Sequence, residues 1–324
     1  MKRRDWLRFL GLSIAAAALP ARAQQPIPRV AWLSAGASGS VESYMQAFRD
    51  GMRELGYVEG RNVVIDVSLG QFSPERTAQL AAELIEKKPA VIVANGWAIR
   101  SVSRLTKTLP IVVGHSGNLV DGGYAASFSR PGGNVTGITF MSLELVGKRI
   151  ELLKEILPRL ARLAVLADPG HAGEHRELAA SKAAADQLGI RIDYHPVKNL
   201  AELDAALESA RASRVQALVV FPDGVTFPRR ERIAEFALKH RLPAVSGWDA
   251  YADAGLLFTY GPNLRASWGR LAYYVDRILK GANPADLPVE LPTRVEMIVN
   301  MKTAKALRVS VPQSVLVRAD RVIE

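Results

Sequence analysis

Residues 45–68 read MQAFRDGMRELGYVEGRNVVIDVS, and the apolar period changes partway along. Met45, Phe48, Met52 and Leu55 recur at helical spacing, which marks the buried stripe of an α-helix, and Gly56 is its stop signal. Asn62–Ser68 then reads as a strand, rich in β-branched residues. Helix followed at once by strand is part of a βα repeat, and the repeat continues in both directions. Arg29–Ser34 precedes it, and Ala90–Ala94 and Pro110–Gly114 follow, with helical patterns between. A second series runs through Arg162–Ala167, Ile190–Pro196, Gln216–Phe221 and Pro243–Ser246. Both halves carry a helix ending in Leu-Gly before the second strand, at Glu54-Leu-Gly-Tyr and Gln187-Leu-Gly-Ile. The chain therefore reads as α/β, with parallel sheets covered by helices on both faces. One continuous sheet of eight strands is the alternative, and two Rossmann-like lobes of about 120 residues suit the usual domain size better.

The tail breaks the tandem. A strand at Leu256–Tyr260, a long helix at Asn263–Lys280, the Pro-containing stretch Gly281–Pro292 and a strand at Val295–Asn300 are surplus to a second lobe. They suit a chain that returns to lobe 1 and crosses back. That gives three crossovers around a cleft, with lobe 1 built from 27–141 plus 256–288 and lobe 2 from 142–255 plus 289–324.

The first 23 residues, MKRRDWLRFLGLSIAAAALPARA, have the basic, apolar and A-x-A order of an export signal. Their uncharged run, Phe9 to Leu19, falls short of the about 20 residues that span a bilayer. Arg3-Arg4 resembles a twin-arginine motif, although Lys2 and Trp6 depart from it, and a plain secretory signal is the competing reading. Either way cleavage near Ala23 and a periplasmic location are expected. The signal holds Lys2, Arg3, Arg4, Arg8 and Arg22 against Asp5, so the mature chain keeps +6 of the formal +10. Its basic residues are scattered among acidic ones, and nucleic acid is not an expected partner. With no cysteine in 324 residues, disulfides, a catalytic thiol and cysteine-based zinc sites are excluded.

Several blocks resemble one family. They are Phe48–Val63 (FRDGMRELGYVEGRNV), Arg130–Thr139 (RPGGNVTGIT), Arg149–Glu155 (RIELLKE), Ile278–Gly281 with Pro284–Val289, and Asn300–Leu307 (NMKTAKAL). Together they are similar to ABC transporter substrate-binding proteins of the type that includes bacterial tryptophan/tyrosine-binding receptors. The resemblance covers nearly the whole chain. It implies the type I periplasmic binding-protein fold and a soluble receptor that closes on a small organic ligand, such as an aromatic amino acid or related compound. It also implies a partner, an ABC permease in the inner membrane.

In doubly wound sheets ligands bind beyond the carboxyl ends of the strands. The loops to inspect are therefore 34–40, 95–98 and 115–119 from lobe 1, with 168–173, 222–226 and 247–250 from lobe 2. They supply the candidate ligand-binding residues Ser34, Gly36, Asn95, Gly96, Trp97, His115, Ser116, Asn118, Asp168, Asp223, Gly247, Trp248 and Asp249. Trp97 and Trp248 each follow a glycine at a strand end, where a ring can wall a planar ligand from either side. Trp32 and Trp268 fall within a strand and a helix and read as core.

Two motifs compete with the receptor reading. His171-Ala-Gly-Glu-His175 fits H-x-x-E-H, a zinc-peptidase signature. Pro169, Gly170 and Gly173 deny the pair a shared helical face, however, and put His171 before the helix with His175 in its first turn. Gly114-His-Ser-Gly-Asn118 approaches the G-x-S-x-G nucleophile elbow but lacks its closing glycine. The alternative is thus a secreted α/β hydrolase using Ser116 or a zinc site at His171/His175. A sensing domain of a larger signalling system is a third. No P-loop or G-x-G-x-x-G is present, so no nucleotide cofactor is expected, nor any other cofactor or metal. The expected state is a non-enzymatic monomer.

Overall fold

The computed structural model describes residues 27–324 apart from Ser142. The export-signal reading lies outside the described residues. Twelve strands form two sheets among the described residues. The first is all parallel, in the order β2-β1-β3-β4-β5, from β1 (Arg29–Ser34), β2 (Val64–Leu69), β3 (Val91–Asn95), β4 (Ile111–His115) and β5 (Val135–Thr139). The second runs β12-β11-β10-β9-β8-β6-β7. Its strands are β6 (Arg162–Ala167), β7 (Arg191–Pro196), β8 (Ala217–Val220), β9 (Ala244–Ser246), β10 (Phe258–Pro262), β11 (Val295–Asn300) and β12 (Arg321–Ile323). The helices between are α1 (Glu42–Glu54), α2 (Pro74–Glu86), α3 (Ala98–Leu105), α4 (Leu143–Ile156), α5 (Glu174–Gln187), α6 (Leu203–Ala212), α7 (Arg230–Lys239), α8 (Asp249–Asp253), α9 (Leu264–Leu279), α10 (Met301–Leu307) and α11 (Gln313–Leu316).

Helix α1 shows how the pattern becomes packing. It buries Tyr44, Ala47, Phe48 and Met52, while Leu55, expected on the same stripe, is the C-cap and stays 39% exposed. The last member of the stripe therefore fell beyond the helix. Facing α1 lies α9, whose Trp268 and Tyr274 enter the core of lobe 1 with Trp32 and Phe48. Ring centroids are 5.0 Å apart for Trp32–Trp268 and 5.1 Å for Trp32–Phe48. Each ring buried this fully contributes about 1.5–3 kcal/mol. Lobe 1 thus depends on a helix from the far end of the chain.

Three crossings join the lobes. The chain leaves lobe 1 after β5, returns between β10 and α9, and leaves again before β11. The sequence reading differs here in three respects. Strand β10 belongs to the second sheet rather than to the segment 256–288 assigned to lobe 1, and it runs antiparallel to β11, so this sheet is not wholly parallel. A side chain at Gly261 would collide with the backbone of Gly247, which lets β10 lie flush against the end of β9. Val289 and Glu290, assigned to lobe 2, still belong to lobe 1. The Glu290 N–H donates to Gly137 O and the Thr139 N–H to Glu290 O, extending the first sheet beside β5. Finally β5, like the short terminal β12, lies outside the strands that the sequence pattern predicts. Gly137 interrupts its pattern, yet the glycine is required, since at φ +137° a Cβ would strike Val113 on β4.

Candidate functional site

A cavity of about 90 Å³ lies between the lobes, at the carboxyl ends of the central strands. From lobe 1, Ser34 ends β1 and its hydroxyl accepts the Gly36 N–H (2.9 Å), turning the following loop back on itself. Asn95 ends β3 and its side-chain carbonyl accepts the Ala35 N–H (3.2 Å), which ties the first loop to the third. Gly96 then adopts φ +57°, and Trp97 begins α3 with its indole N–H donated to Thr77 Oγ1 (3.2 Å). With its polar edge so anchored, the Trp97 ring is held across the cavity against Gly224 of lobe 2. A Cβ on Gly224 would lie 3.0 Å from the ring.

Lobe 2 supplies Trp248, just after β9. Its ring meets Phe227 edge-on at 5.4 Å and Phe140, at the first crossing, at 6.2 Å. Tyr44, Phe72 and Trp268 complete an aromatic wall. Asp223 borders the cavity but is 2% exposed and already engaged. Its carboxylate accepts the N–H groups of Asp168 (2.9 Å), Val225 (2.8 Å) and Thr226 (2.7 Å). Burial raises its pKa and those three donors pull it back. Its first task is thus to fix the loop 222–226, on which Phe227 is mounted. Asp223 is also the single charged residue that borders the cavity among those described, and no lysine or arginine does.

Of the thirteen candidate residues, eight border the cavity: Ser34, Gly36, Asn95, Gly96, Trp97, Ser116, Asp223 and Trp248. The other five are placed elsewhere. His115 is buried behind Ser116. Asn118 caps its own loop, accepting the Val120 and Asp121 N–H groups. Asp168 accepts the Gly170 N–H and props Asp223. Gly247 sits over the Arg149 guanidinium, and Asp249 accepts the Tyr44 hydroxyl across the cleft (3.1 Å). Sequence reasoning missed Tyr44, Phe72, Phe140, Phe227 and the cavity-facing edge of Trp268. Tyr44 and Phe227 lie just past inspected loops, so widening each loop by one helical turn would have found them. It also missed Arg149 on α4, which lies below the cleft in a buried ion pair with Glu177 on α5 (3.3 Å).

The two competing motifs resolve geometrically. Helix α5 starts at Glu174, so His171 precedes it and His175 is exposed in its first turn, as the Pro/Gly context predicts. His171 turns inward instead, its Nε2 2.7 Å from Ser116 Oγ. That contact resembles half of a nucleophile pair. A catalytic base needs an orienting partner on its other nitrogen and a pKa near neutrality. Among the described residues no side chain bonds His171 Nδ1, and burial lowers its pKa to about 4.

Two lobes wound on parallel sheets, hinged by three crossings and shut over an aromatic cavity, define a solute receptor that closes around its ligand. The model of the family described as ABC transporter substrate binding protein matches residues 37–323, and the chain belongs to that family. The family is one of solute-binding proteins rather than enzymes. Among curated proteins, the chain is 21% identical to the tyrosine-binding protein of Clostridioides difficile over 270 residues, 83% of this chain and 77% of that one. A crystal structure of a conserved domain protein from Vibrio cholerae superimposes with a TM-score of 0.84 at 25% identity, covering 91% of this chain and 99% of that chain. The structure of an ABC domain from Streptococcus pneumoniae, solved in complex with L-Trp, gives the same TM-score and coverage at 22% identity.

Proposed function

We propose that the protein is an exported receptor of an ABC importer, without catalytic activity, and that its ligand is an aromatic amino acid or a close aromatic relative. The observation that carries this is the cavity wall. Trp97, Trp248, Tyr44, Phe140, Phe227 and Trp268 converge on it from both lobes, with Ser34, Asn95 and Ser116 as neutral polar groups. Aromatic walls with a few placed polar groups suit one planar apolar ligand with a polar end. The names of the C. difficile and S. pneumoniae relatives agree with that chemistry. At about 90 Å³ the cavity is smaller than an apolar cavity of about 150 Å³ that holds benzene, and on this reading the lobes part to admit the ligand. Closure then follows from contacts made to both lobes at once. An inner-membrane permease as partner and a monomeric state complete the reading.

Native mass spectrometry of freshly purified protein, followed by calorimetry with L-tryptophan, L-tyrosine and aromatic acids lacking the amino group, tests it. Retention or binding of none of these, or turnover of any, overturns it. Gly224→Leu puts a side chain where the Trp97 ring sits, and overpacking of this kind costs about 1–3 kcal/mol. Ligand affinity should fall correspondingly, by roughly 5- to 150-fold. Unchanged affinity would mean that Trp97 and Gly224 do not meet in the bound state.

Export by the twin-arginine route predicts a mature N-terminus at Gln24 and loss of export when Arg3-Arg4 become Lys-Lys. Edman sequencing of the periplasmic protein and fractionation of the variant read both. Periplasmic Lys-Lys protein in a strain lacking that route would assign the signal to the general secretory pathway.

A further inference from the structure

The loops that carry the two misleading motifs meet each other. Residues 116–121 follow β4 in lobe 1 and residues 168–176, running into the first turn of α5, follow β6 in lobe 2, and three links of different kinds join them. The Asn118 N–H donates to Ala172 O (3.0 Å). Ser116 Oγ and His171 Nε2 share a hydrogen bond of 2.7 Å. The Arg176 guanidinium grips the Asp121 carboxylate with two donors, at 2.7 and 3.0 Å. Ser116 also borders the ligand cavity, so this contact adjoins the bound solute.

We propose that these loops form a clasp that holds the lobes shut, with His171 as its proton-sensitive member, so that acid opens the cleft. The proposal rests on the receptor reading for its purpose, although its test does not. The surroundings of His171 motivate it. Its ring lies 5.9 Å from that of His115, and neither nitrogen of the buried His115 has a partner among the described residues. Tyr124 covers the other side of His115 at 5.9 Å. On its own loop and helix, His171 is near Asp168 and Glu174, which favour its charged form. Burial outweighs them and lowers its pKa to about 4, while His115, also desolvated and beside a second imidazole, falls to about 3.

The sign follows from linkage. A histidine whose pKa is depressed in the closed state supports closure fully at pH above its ordinary value of 6.5. That support fades as pH falls from 6.5 toward about 4, because the opened, hydrated imidazole takes up a proton that the closed one refuses. At pH 5 the open-to-closed ratio should exceed that at pH 7.5 by about 30-fold.

The chain has no cysteine, so Glu86→Cys on α2 and Glu235→Cys on α7 place one spin label on each lobe. Pulsed dipolar spectroscopy of the ligand-free protein then reads lobe separation directly, whether or not a ligand is known. A short-distance population should stand beside the open one at pH 7.5 and should shrink at pH 5. His171→Gln, which keeps a hydrogen-bonding side chain but cannot titrate, should remove the pH response. Asp121→Arg should deplete the short-distance population at pH 7.5, and adding Arg176→Asp should restore it. A short-distance population that is absent from the wild type at pH 7.5, an acid response that survives His171→Gln, or an Asp121→Arg variant with that population undiminished would each overturn the clasp. Failure to find any ligand, with these distances behaving as stated, would instead overturn only the receptor reading.

Discussion

Trp97→Ala and Trp248→Ala should each weaken ligand binding by about 2–4 kcal/mol, the range of buried aromatic anchors at binding hot spots. The two rings reach the cavity from opposite lobes, so each loses contact with the ligand and also a contact that closes the cleft. Trp97 touches Gly224 of lobe 2, and Trp248 packs on Phe140 at the first crossing. Calorimetry with the ligand identified by mass spectrometry reads the loss. Leu238→Ala is a suitable control. Leu238 is 45% exposed, on α7, and its truncation should change affinity by less than about 0.5 kcal/mol. Trp268 is no neutral reference for fluorescence, because its ring both fills the core of lobe 1 and borders the cavity. The Trp97→Phe/Trp248→Phe protein should therefore keep a residual ligand-induced signal from Trp268. Wild-type affinity in both alanine variants would remove the cavity from consideration as the binding site.

The second large effect is on stability. Arg149→Met should cost about 3–5 kcal/mol, since it leaves the Glu177 carboxylate buried without its partner. Arg149 and Glu177 side chains are 5% and 7% exposed, and the Arg149 Nε–H also holds Tyr260 O (2.8 Å). Burial pushes the Glu177 pKa up, and Arg149 is the group that pulls it back. In the variant the folded-state pKa of Glu177, already above its unfolded value, should therefore rise further. The protonated carboxyl then favours folding at low pH, and that support is lost as pH rises through the raised pKa. Urea titrations should accordingly show the penalty shrinking from pH 7.5 to pH 5. Arg149→Met with Glu177→Leu should recover most of the loss, because the buried charge goes with its partner. A single variant as stable as wild type at pH 7.5 would show that the pair is hydrated in solution.

How far the sequence reveals this molecule depends on how local each determinant is. The βα alternation is a pattern of neighbours, and the strands from Arg29–Ser34 to Pro243–Ser246 lie within a residue or two of where periodicity puts them, except for β5. That strand needs Gly137 for its approach to Val113, so what makes it fit the sheet also hides it from a pattern search. The loops at strand ends led to Trp97 and Trp248 for the same local reason. Tyr44 and Phe227 sit a few residues beyond those loops, and only the directions of α1 and of the turn after Asp223 bring them to the cavity. Arg149 was visible as part of a helical charge pattern. That it is buried depends on Glu177, 28 residues away on another helix.

The long detour of the chain also sets a timetable for its birth. Trp32 and Phe48 are made early, but α9, with Trp268 and Tyr274, leaves the ribosome more than two hundred residues after Trp32. At roughly 5–20 residues per second the nascent first sheet waits on the order of ten to fifty seconds for its covering helix. Throughout that interval an aromatic face has nothing of its own chain to lie against. An N-terminal fragment ending at Met141 should therefore aggregate rather than fold, and the nascent chain is left open to holding chaperones until residues 264–290 arrive to close lobe 1.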